Sequence, residues 1–401
     1  MGWVTEFHPT TDELNACVQC GLCLPVCPTF RLTGRETASP RGRLHAMSAV
    51  DSGVVAVDES FASIIDFCLG CRACEPVCPG LVQYGRTLEG ARAEIDAQLP
   101  GRGRENRWLI TTGLTKRPLL RMSGLALTVA QTLGLTSLAP SKYRRLTGGM
   151  RRLAGRGAST VGHVGGSGEL GTVGLLVGCI QDEWFRPVNR VAVQLLEMAG
   201  YTVAVPERQT CCGALAAHDG KADAAVQMQD RNTDAFGGFD LMVATAAGCS
   251  AHLHDYRWPG HRPETLDITV AVARAIASGH LPRLTVDNGP IAIQDPCHLR
   301  HAQRVVAEPR AILAAAGYRV VETDPVGMCC GAAGMYTVHH PEASTILGNQ
   351  KADQVRATGV TKVASANPGC EMQLRSHLDD QHDIRHPIEW YAAALSAEGR
   401  L

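Results

Sequence analysis

Two runs of cysteines with the same internal spacing lie in the first eighty residues of this 401-residue chain. Each run has three cysteines separated by two residues, a fourth after three more residues, and a proline directly behind it. The runs are Cys17, Cys20, Cys23 and Cys27 before Pro28, and Cys68, Cys71, Cys74 and Cys78 before Pro79. Two-residue spacers hold the backbone tightly enough for three thiolates to converge on one metal centre. This repeated run is the strongest signal in the sequence.

The spacing is that of bacterial ferredoxins with two 4Fe–4S clusters, in which the fourth cysteine of each run binds the cluster of the other run. It predicts one cluster held by Cys17, Cys20, Cys23 and Cys78, and a second held by Cys27, Cys68, Cys71 and Cys74. A zinc site is the alternative, but zinc usually takes paired CxxC elements rather than two complete runs. Helix-like patterns at 42–50 and 60–67 favour a helical ferredoxin-type domain at residues 1–100.

The other eight cysteines form an internal repeat that begins after a cysteine-free gap from 79 to 178. Each copy has one cysteine, a Cys-Cys-Gly triplet after 31 intervening residues, and a fourth cysteine further on. The copies use Cys179, Cys211, Cys212 and Cys249, and then Cys297, Cys329, Cys330 and Cys370. The chain starts without a secretory pattern, so we expect it in the cytoplasm, where cysteines are metal ligands or redox groups more often than disulfides.

Short β-branched runs alternate with helix-patterned segments in both copies. The strand-like runs lie at 201–205, 241–244, 291–293 and 362–364, and the clearest helix pattern lies at 188–199. This alternation predicts βαβ units with a mostly parallel sheet in each repeat, at 173–285 and 286–401. The cysteines follow strands and begin helices, at the sheet edge where α/β folds gather ligands and where helix N-termini favour thiolates.

Charge is distributed unevenly along the chain. Lys and Arg number 38 against 39 Asp and Glu, so the formal charge of −1 gives no global reason to expect nucleic-acid binding. Residues 101–157, however, contain twelve basic residues against the single acid Glu105, a net charge of +11. No aromatic platform accompanies this charge, so nucleic acid is not an expected partner here either. We interpret 101–172 as a basic helical segment followed by a Gly-rich linker at 158–172.

An amphipathic helix is predicted within this basic segment. It starts at Pro118 and carries the apolar stripe Leu119, Met122, Ala126, Val129 and Leu133. Such a helix can lie on an anionic membrane near a quinone, dock on a partner subunit, or pack on the chain's own core with its arginines solvated. The sequence leaves these three alternatives open, and it contains no apolar run that predicts a transmembrane helix.

An ordered set of motifs resembles the glycolate oxidase iron–sulfur subunit family and its relatives in lactate utilisation. The motifs are PRGR at 40–43, the two Cys-Cys-Gly triplets, GCSA at 248–251, PCHLRHAQ at 296–303, NPGC at 367–370 and the final RHPIEW. The resemblance implies an α/β fold with an α-helical ferredoxin-like N-terminal domain. A pseudo-twofold repeat of cysteine-rich (CCG) domains of βαβ type would follow that domain.

The resemblance also implies a function in electron transfer. No segment is typical of a flavin or nicotinamide domain, and no catalytic constellation stands out, so FAD is expected on a separate dehydrogenase subunit. That partner would oxidise glycolate, D-lactate or a similar 2-hydroxy acid, and this chain would carry the electrons towards a quinone. The membrane's inner face is a candidate contact through 101–157. The alternatives are the iron–sulfur subunit of an anaerobic glycerol-3-phosphate dehydrogenase, a heterodisulfide reductase-like enzyme, and a zinc-stapled interaction protein.

The repeats depart from the heterodisulfide reductase pattern at one position in each copy. Where those proteins have a fifth cysteine, this chain has His252 in the first copy and Gln373 in the second. Four thiolates per copy suffice for one cluster or one zinc ion, so we expect at least one further iron–sulfur cluster in the repeats. His252, His298 and His301 lie near these cysteines, but a histidine at a helix start is more often a hydrogen-bonding partner than a ligand.

Overall fold

The computed structural model describes residues 2–102, 108–113, 116–135 and 149–401. Its N-terminal part is helical, as the sequence predicts. The helices are α1 (Thr11–Asn15), α2 (Pro28–Thr33), α3 (Pro40–Asp51), α4 (Glu59–Asp66) and α5 (Tyr84–Gln98), with a 3₁₀ turn at Glu36–Ala38.

Local capping explains where the two central helices of this part begin. The Ser39 hydroxyl accepts a hydrogen bond from the Gly42 amide ahead of α3, and the Asp58 carboxylate accepts one from the Phe61 amide ahead of α4. The apolar faces then pack into one core that includes Met47 and Ile65. Cys68 and Cys74 are buried within this core, and Cys17, Cys23 and Cys78 pack against it.

The basic segment contributes a π-helical turn at Leu109–Gly113 and the helix α6 (Arg117–Thr132). The sequence predicts this helix within a residue of its observed start. None of the helices in the described ranges combines the length and the apolar character needed to cross a bilayer.

The first repeat forms a five-stranded sheet in the order β1-β3-β2-β4-β5. Its strands are β1 (Val164–Gly165), β2 (Thr172–Leu176), β3 (Thr202–Ala204), β4 (Leu241–Ala244) and β5 (Glu264–Asp267). Strands β2 to β5 are parallel, and β1 pairs with β3 in the antiparallel sense. The stretch interpreted as linker at 158–172 therefore supplies an edge strand in the structure.

The second repeat forms a four-stranded parallel sheet in the order β7-β6-β8-β9. Its strands are β6 (Gly289–Gln294), β7 (Tyr318–Glu322), β8 (Lys362–Ser365) and β9 (Asp383–Arg385). The four parallel strands of the first sheet follow the same spatial order, so the repeat seen in the cysteines is also a repeat of topology. Strands β6 and β8 overlap the predicted runs at 291–293 and 362–364, whereas β7 and β9 have no predicted counterpart.

The helices between the strands complete the two repeats. In the first repeat they are α7 (Ile180–Trp184), α8 (Arg186–Met198), α9 (Ala214–His218), α10 (Ala222–Phe236), α11 (Ala247–His254) and α12 (Ile268–Ala277). In the second they are α13 (Ala307–Ala315), α14 (Tyr336–His339), α15 (Pro341–Arg356), α16 (Pro368–Arg375) and α17 (Pro387–Ala397), with a π-helical turn at His298–Ala302.

One hydrophobic core joins the two repeats. Helices α8 and α12 of the first repeat pack against α13 and α17 of the second, and side chains of both sheets contribute to the same core. Val243 of the first sheet and Ile291 of the second are fully buried in it. Because the helices are shared, the repeats are held in one arrangement, and the carboxyl ends of their strands converge.

Candidate metal centres

All sixteen cysteines lie in the described ranges and are free thiols. The two predicted ferredoxin sets differ in exposure. In the first set, Cys17, Cys20, Cys23 and Cys78, Cys20 is exposed and the other three are half-buried. In the second set, Cys27, Cys68, Cys71 and Cys74, all four are buried. The first set therefore lies at the surface and the second in the interior.

The two cysteine runs share an unusual backbone. Gln19 and Gly21 in the first run have positive φ angles of 54° and 83°, and Gly70 and Arg72 occupy the equivalent positions in the second run with 63° and 59°. Left-handed residues are strained unless they are glycine, so a non-glycine residue held this way in both runs points to a local function. Turns of this kind direct successive amide N–H groups into a concavity that binds anions. The Gly70 amide, for example, donates a hydrogen bond to the Cys68 sulfur over 3.4 Å.

The electrostatics of the buried set match a positively charged metal. Burial, together with the anionic forms of Cys297 and Cys68, raises the pKa of the Cys71 thiol well above its usual value. Burial and the neighbouring Cys71 raise the pKa of Cys74 in the same way. Such thiols do not ionise by themselves, whereas bound iron would supply the compensating charge. The residues therefore fit an iron–sulfur centre.

The cysteines of each repeat form two pairs. The Cys179 and Cys211 sulfurs are 3.2 Å apart, and so are those of Cys212 and Cys249. In the second repeat the Cys330 and Cys370 sulfurs are 3.3 Å apart, and the Cys329 and Cys297 side chains share a hydrogen bond. Among the described residues no three His, Cys, Asp or Glu side chains already surround one point as metal ligands, so the convergence is pairwise.

Hydrogen bonds between neighbouring cysteines favour the ionised form of one thiol in each repeat. Hydrogen bonds from the Cys179 and Cys212 thiols lower the pKa of Cys211 well below its usual value. Hydrogen bonds from the Cys329 and Cys370 thiols do the same for the pKa of Cys330. The favoured sulfur is thus the first of the adjacent pair in one repeat and the second of the pair in the other.

The parallel sheets place these cysteines. Cys179 follows β2, Cys249 lies in α11 after β4, and the equivalent residues Cys297 and Cys370 follow β6 and β8. The glycine behind each adjacent pair has a positive φ, 85° at Gly213 and 86° at Gly331. A Cβ at Gly331 would also collide with the Ser344 carbonyl oxygen, so only glycine permits this turn.

A single cavity of about 980 Å³ joins the two repeats. Its wall includes all eight repeat cysteines and Cys68 from the buried ferredoxin set. The repeats meet directly beside it, since the Ala247 amide donates to the Ala366 carbonyl over 3.2 Å and the Gly248 amide donates to the Asn367 side chain over 3.2 Å. Three of the four predicted cysteine sets therefore face one space.

Two of the three candidate histidines hydrogen-bond to backbone carbonyl groups, the role that the sequence favours over ligation. His298 Nε2 is 3.0 Å from the Gly70 carbonyl oxygen, and His301 Nε2 is 2.8 Å from that of Gly327. Burial lowers the pKa of His298 to about 3, so it is neutral. His252 is half-buried, and its buried Nδ1 has no hydrogen-bond partner among the described residues.

Sequence reasoning missed one ionisable pair beside the cavity. His218 of α9 bonds through Nδ1 to the Glu89 carboxylate of α5 over 2.7 Å. Burial opposes ionisation of Glu89, but the hydrogen bond to His218 lowers its pKa to about 2. The two residues are 129 positions apart, and no local pattern in the sequence connects them.

Helix α6 covers part of the cavity and leaves an apolar face outside. Leu119, Leu120 and Met122 line the cavity, although Met122 is also 67% exposed. Val129 and Leu133 do not line it and are 50% and 64% exposed. The predicted stripe thus points mainly away from the chain's core, and the alternative that it packs on that core is wrong for these residues.

Several arginines of the basic segment are paired with acids of the same chain rather than solvated. Arg151 contacts both Glu371 and Glu389 at 2.6 to 2.7 Å, and Arg156 contacts Glu183 at 2.6 Å. These ion pairs attach the basic segment to both repeats. The expectation of a freely solvated basic surface is therefore wrong for these two arginines.

Comparison with known families agrees with the arrangement of the sites. A 4Fe-4S dicluster domain matches residues 13–82, and a cysteine-rich domain matches 173–254 and again 291–375. The chain is thus an iron–sulfur protein with one dicluster region and two cysteine-rich domains.

Relatives of this architecture cover almost the whole chain. A Bacillus subtilis (strain 168) protein, described as a probable glycolate oxidase iron–sulfur subunit, is 31% identical over 93% of this chain and 91% of its own length. The glycolate oxidase iron–sulfur subunit of Escherichia coli (strain K12) is 26% identical over 96% and 95%. Lactate utilization protein A 2 of Bacillus mycoides (strain KBAB4) is 25% identical over 52% and 91%. The chain belongs to the family of glycolate oxidase iron–sulfur subunits.

Proposed function

We propose that this chain is the electron-transfer subunit of a flavin-dependent 2-hydroxy acid dehydrogenase that acts on glycolate or D-lactate. The observation that carries the proposal is the contiguity of the cysteine sets. Cys71 of the buried ferredoxin set lies close enough to Cys297 of the second repeat for the charge of Cys297 to raise the pKa of the Cys71 thiol, and Cys68 lines the cavity shared by both repeats. Electrons can therefore pass between neighbouring sites without leaving the protein.

The proposed ligands are the sixteen cysteines. Cys17, Cys20, Cys23 and Cys78 would hold one 4Fe–4S cluster, and Cys27, Cys68, Cys71 and Cys74 a second. The eight repeat cysteines would hold at least one further cluster, in one or both copies. The clusters supply one-electron redox chemistry when bound, and the protein sets their burial, spacing and potential.

Electrons would enter at the exposed set. The side chains of Val18, Leu22 and Leu81 are 67%, 56% and 76% exposed. Val18 and Leu22 are next to Cys17 and Cys23 in the chain, and Leu81 is three residues after Cys78. An apolar surface around a shallow redox site is suited to docking a partner protein. We assign this surface to the flavin subunit, which would hold FAD and remove a hydride from the substrate.

Electrons would leave near α6. Its inner face lines the cavity beside the repeat cysteines, and its outer face is apolar and lies in a strongly basic segment. This combination suits contact with an anionic membrane surface, from which an apolar quinone could reach the cavity. Membrane contact and quinone reduction are thus parts of one proposal.

Anaerobic isolation with iron counting tests the cluster assignment. About 8 irons per chain would mean the ferredoxin pair alone, about 12 one extra cluster, and about 16 both repeats loaded. Colourless, iron-free protein would contradict the proposal and favour zinc. Co-purification with a flavoprotein, followed by assays with glycolate, D-lactate and glycerol 3-phosphate, separates the proposed function from a glycerol-3-phosphate dehydrogenase.

Vesicle sedimentation tests the α6 surface. We expect binding to anionic vesicles but not to zwitterionic ones, and a loss of at least tenfold in binding for the double variant Leu125→Gln, Val129→Gln, whose side chains are 65% and 50% exposed and do not line the cavity. Ile346→Gln on α15 is the matched control, because Ile346 is 48% exposed on another surface. An equal loss in the control variant would contradict the assignment.

A further inference from the structure

A buried arginine without a carboxylate partner lies in α3. Arg43 is 0% exposed. Its Nε donates to the Ile64 carbonyl over 2.9 Å, and its Nη2 donates to the Thr29 hydroxyl over 3.1 Å. Its Nη1 is buried and has no hydrogen-bond partner in the part of the chain that the structure describes. Arginine stays protonated in proteins, so a full positive charge lies in the interior.

The groups that face this charge belong to the buried ferredoxin set. They are Cys68 and Cys27, and the Tyr84 hydroxyl lies beside them. The Thr29 oxygen that accepts from Arg43 is also 3.3 Å from the Cys27 sulfur, and the Tyr84 hydroxyl is 3.8 Å from the Cys68 sulfur. Arg43 is therefore directly behind two of the four cysteines of the second set.

This arrangement is unfavourable unless an anion is present. A buried charge without a counter-charge costs several kcal/mol, and an unmade hydrogen bond of a buried charged donor adds to that. A 4Fe–4S centre bound by four thiolates has a net negative charge, which grows by one when the centre is reduced. Such a centre would neutralise Arg43 and would accept the hydrogen bond that Nη1 does not make within the chain.

The same turn contains a second arginine that serves as an internal comparison. Arg41 is two residues away and lies beside the first set, near Cys17 and Cys23. Unlike Arg43, it is partly exposed and has a carboxylate partner, since its Nε is 2.8 Å from the Glu36 carboxylate. Both arginines are thus directed at cysteine sets, but only Arg43 is buried without an acid.

The glycine between them makes this geometry possible. A Cβ at Gly42 would collide with the Glu36 carbonyl carbon and oxygen, so the first turn of α3 approaches that backbone more closely than any other residue would allow. The Gly42 amide also donates to the Ser39 cap over 2.9 Å. The Pro-Arg-Gly-Arg motif therefore holds one arginine towards each set.

We propose that Arg43 is the buried counter-charge of the second ferredoxin cluster and raises its reduction potential above that of the first. The proposal rests on the cluster assignment proposed above. A positive charge in a medium of low polarity favours the more negative, reduced state of a nearby centre. Electrons accepted at the exposed set would then pass to the buried set in a favourable direction. Arg43 is a positioning residue in this scheme, since it acts through the cluster.

Redox titration of the holoprotein, followed by paramagnetic resonance, tests the proposal. Arg43→Met should lower one midpoint potential by at least about 59 mV, a tenfold change in a one-electron equilibrium. Arg43→Lys keeps the charge and should retain most of the potential. Arg41→Met, the matched control, should change its cluster's potential less, because Arg41 is already neutralised by Glu36 and water. Unchanged potentials in Arg43→Met with full iron content, or an equal shift in Arg41→Met, would overturn the inference.

Thermal unfolding of the iron-free chain provides a second readout. Without clusters the charge of Arg43 is uncompensated, so iron-free Arg43→Met should be at least as stable as the iron-free wild type. With clusters bound, the wild type should be more stable than Arg43→Met. Loss of about four irons from Arg43→Met, but not from Arg43→Lys, would also agree with the proposal. A less stable iron-free Arg43→Met would show that the arginine serves the fold alone. Wild-type protein without any iron–sulfur signal would instead refute the cluster assignment itself.

Discussion

The two cysteine-rich repeats have the same strand order and the same cysteine pairing, but they differ around the cysteines. In the first repeat the favoured thiolate is Cys211, and the residue three positions after the fourth cysteine is His252. In the second the favoured thiolate is Cys330, and the corresponding residue is Gln373. Topology is therefore shared, whereas the residue three positions after the fourth cysteine is a histidine in one repeat and a glutamine in the other. These side chains differ in charge and hydrogen bonding, so the copies are expected to differ in redox potential if both bind a cluster.

The largest expected effect is loss of a whole cluster from one repeat. Cys212→Ser and Cys330→Ser should each remove about four irons per chain if both copies are loaded, because each takes away a sulfur at the centre of its set. Iron analysis after anaerobic purification measures this. If only one of the two variants loses iron, only that repeat binds a cluster, and the two copies differ in function although they share one topology.

The next effect concerns the ion pairs that attach the basic segment to each repeat. Arg151→Met should destabilise the chain by about 3–5 kcal/mol, because Glu371 retains Arg375 but Glu389 loses its only cationic partner among the described residues. Denaturant unfolding measures the difference from wild type.

Arg156→Met is the matched variant in the first repeat. Glu183 keeps its contact with Arg186 at 2.6 Å, so the expected loss is smaller, about 1–2 kcal/mol. Equal losses in the two variants would mean that the basic segment holds both repeats in the same way.

The stability of the second repeat should depend on pH through His386. Burial lowers the pKa of His386 to about 4 from its usual 6.5, so the folded state binds fewer protons than the unfolded state between these values. Stability should therefore be complete above about pH 6.5 and fall as the pH drops towards 4, by up to about 3 kcal/mol. His386→Asn keeps an N-cap acceptor for α17 and should remove this dependence in denaturant unfolding at several pH values.

The first repeat should not share this response. Its equivalent cap at α12 is Asp267, and burial raises the pKa of that carboxyl from its usual value. A raised pKa in the folded state stabilises the protonated form, so this group adds stability at low pH and loses it as the pH rises through that pKa. An unchanged acid response in His386→Asn would contradict the assignment to His386.

The smallest effect is expected when both repeats carry the same residue at the position of the fifth cysteine of heterodisulfide reductases, which is His252 in the first repeat and Gln373 in the second. His252→Gln should leave the iron content unchanged, because the four thiolates of the first repeat remain. Stability should change by no more than about 1 kcal/mol, since His252 Nδ1 has no hydrogen-bond partner in the described ranges. Loss of about four irons would instead identify His252 as a ligand.

Much of the fold could be predicted because its signals are local. The strand at 241–244 and the helices at 42–50 and 60–67 follow from β-branched runs and helical periodicity over a few residues, and all three are confirmed. The edge strand at Val164–Gly165 was not predicted. Its two residues lie among glycines, and only pairing with β3 makes them a strand.

The candidate site, too, has some features that local sequence patterns predict and others that they do not. Spacing alone groups the cysteines of each ferredoxin run, because two or three residues of chain limit how far apart neighbouring thiols can be. The repetition of one plan groups the other eight cysteines into two copies. The burial of Arg43, the pairing of Glu89 with His218 and the outward face of α6 involve residues far apart in the chain or the packing of whole elements. No local pattern could predict them.

The sequence by itself determined which residues carry the chemistry and that the cysteine-rich unit occurs twice, since both are properties of spacing and periodicity. Only the tertiary structure decided that the two repeats face one cavity, that one ferredoxin set is exposed and the other buried, and which arginines are paired. The physical reason is that burial and charge compensation depend on what surrounds a side chain in space. Those surroundings come from packing between distant segments.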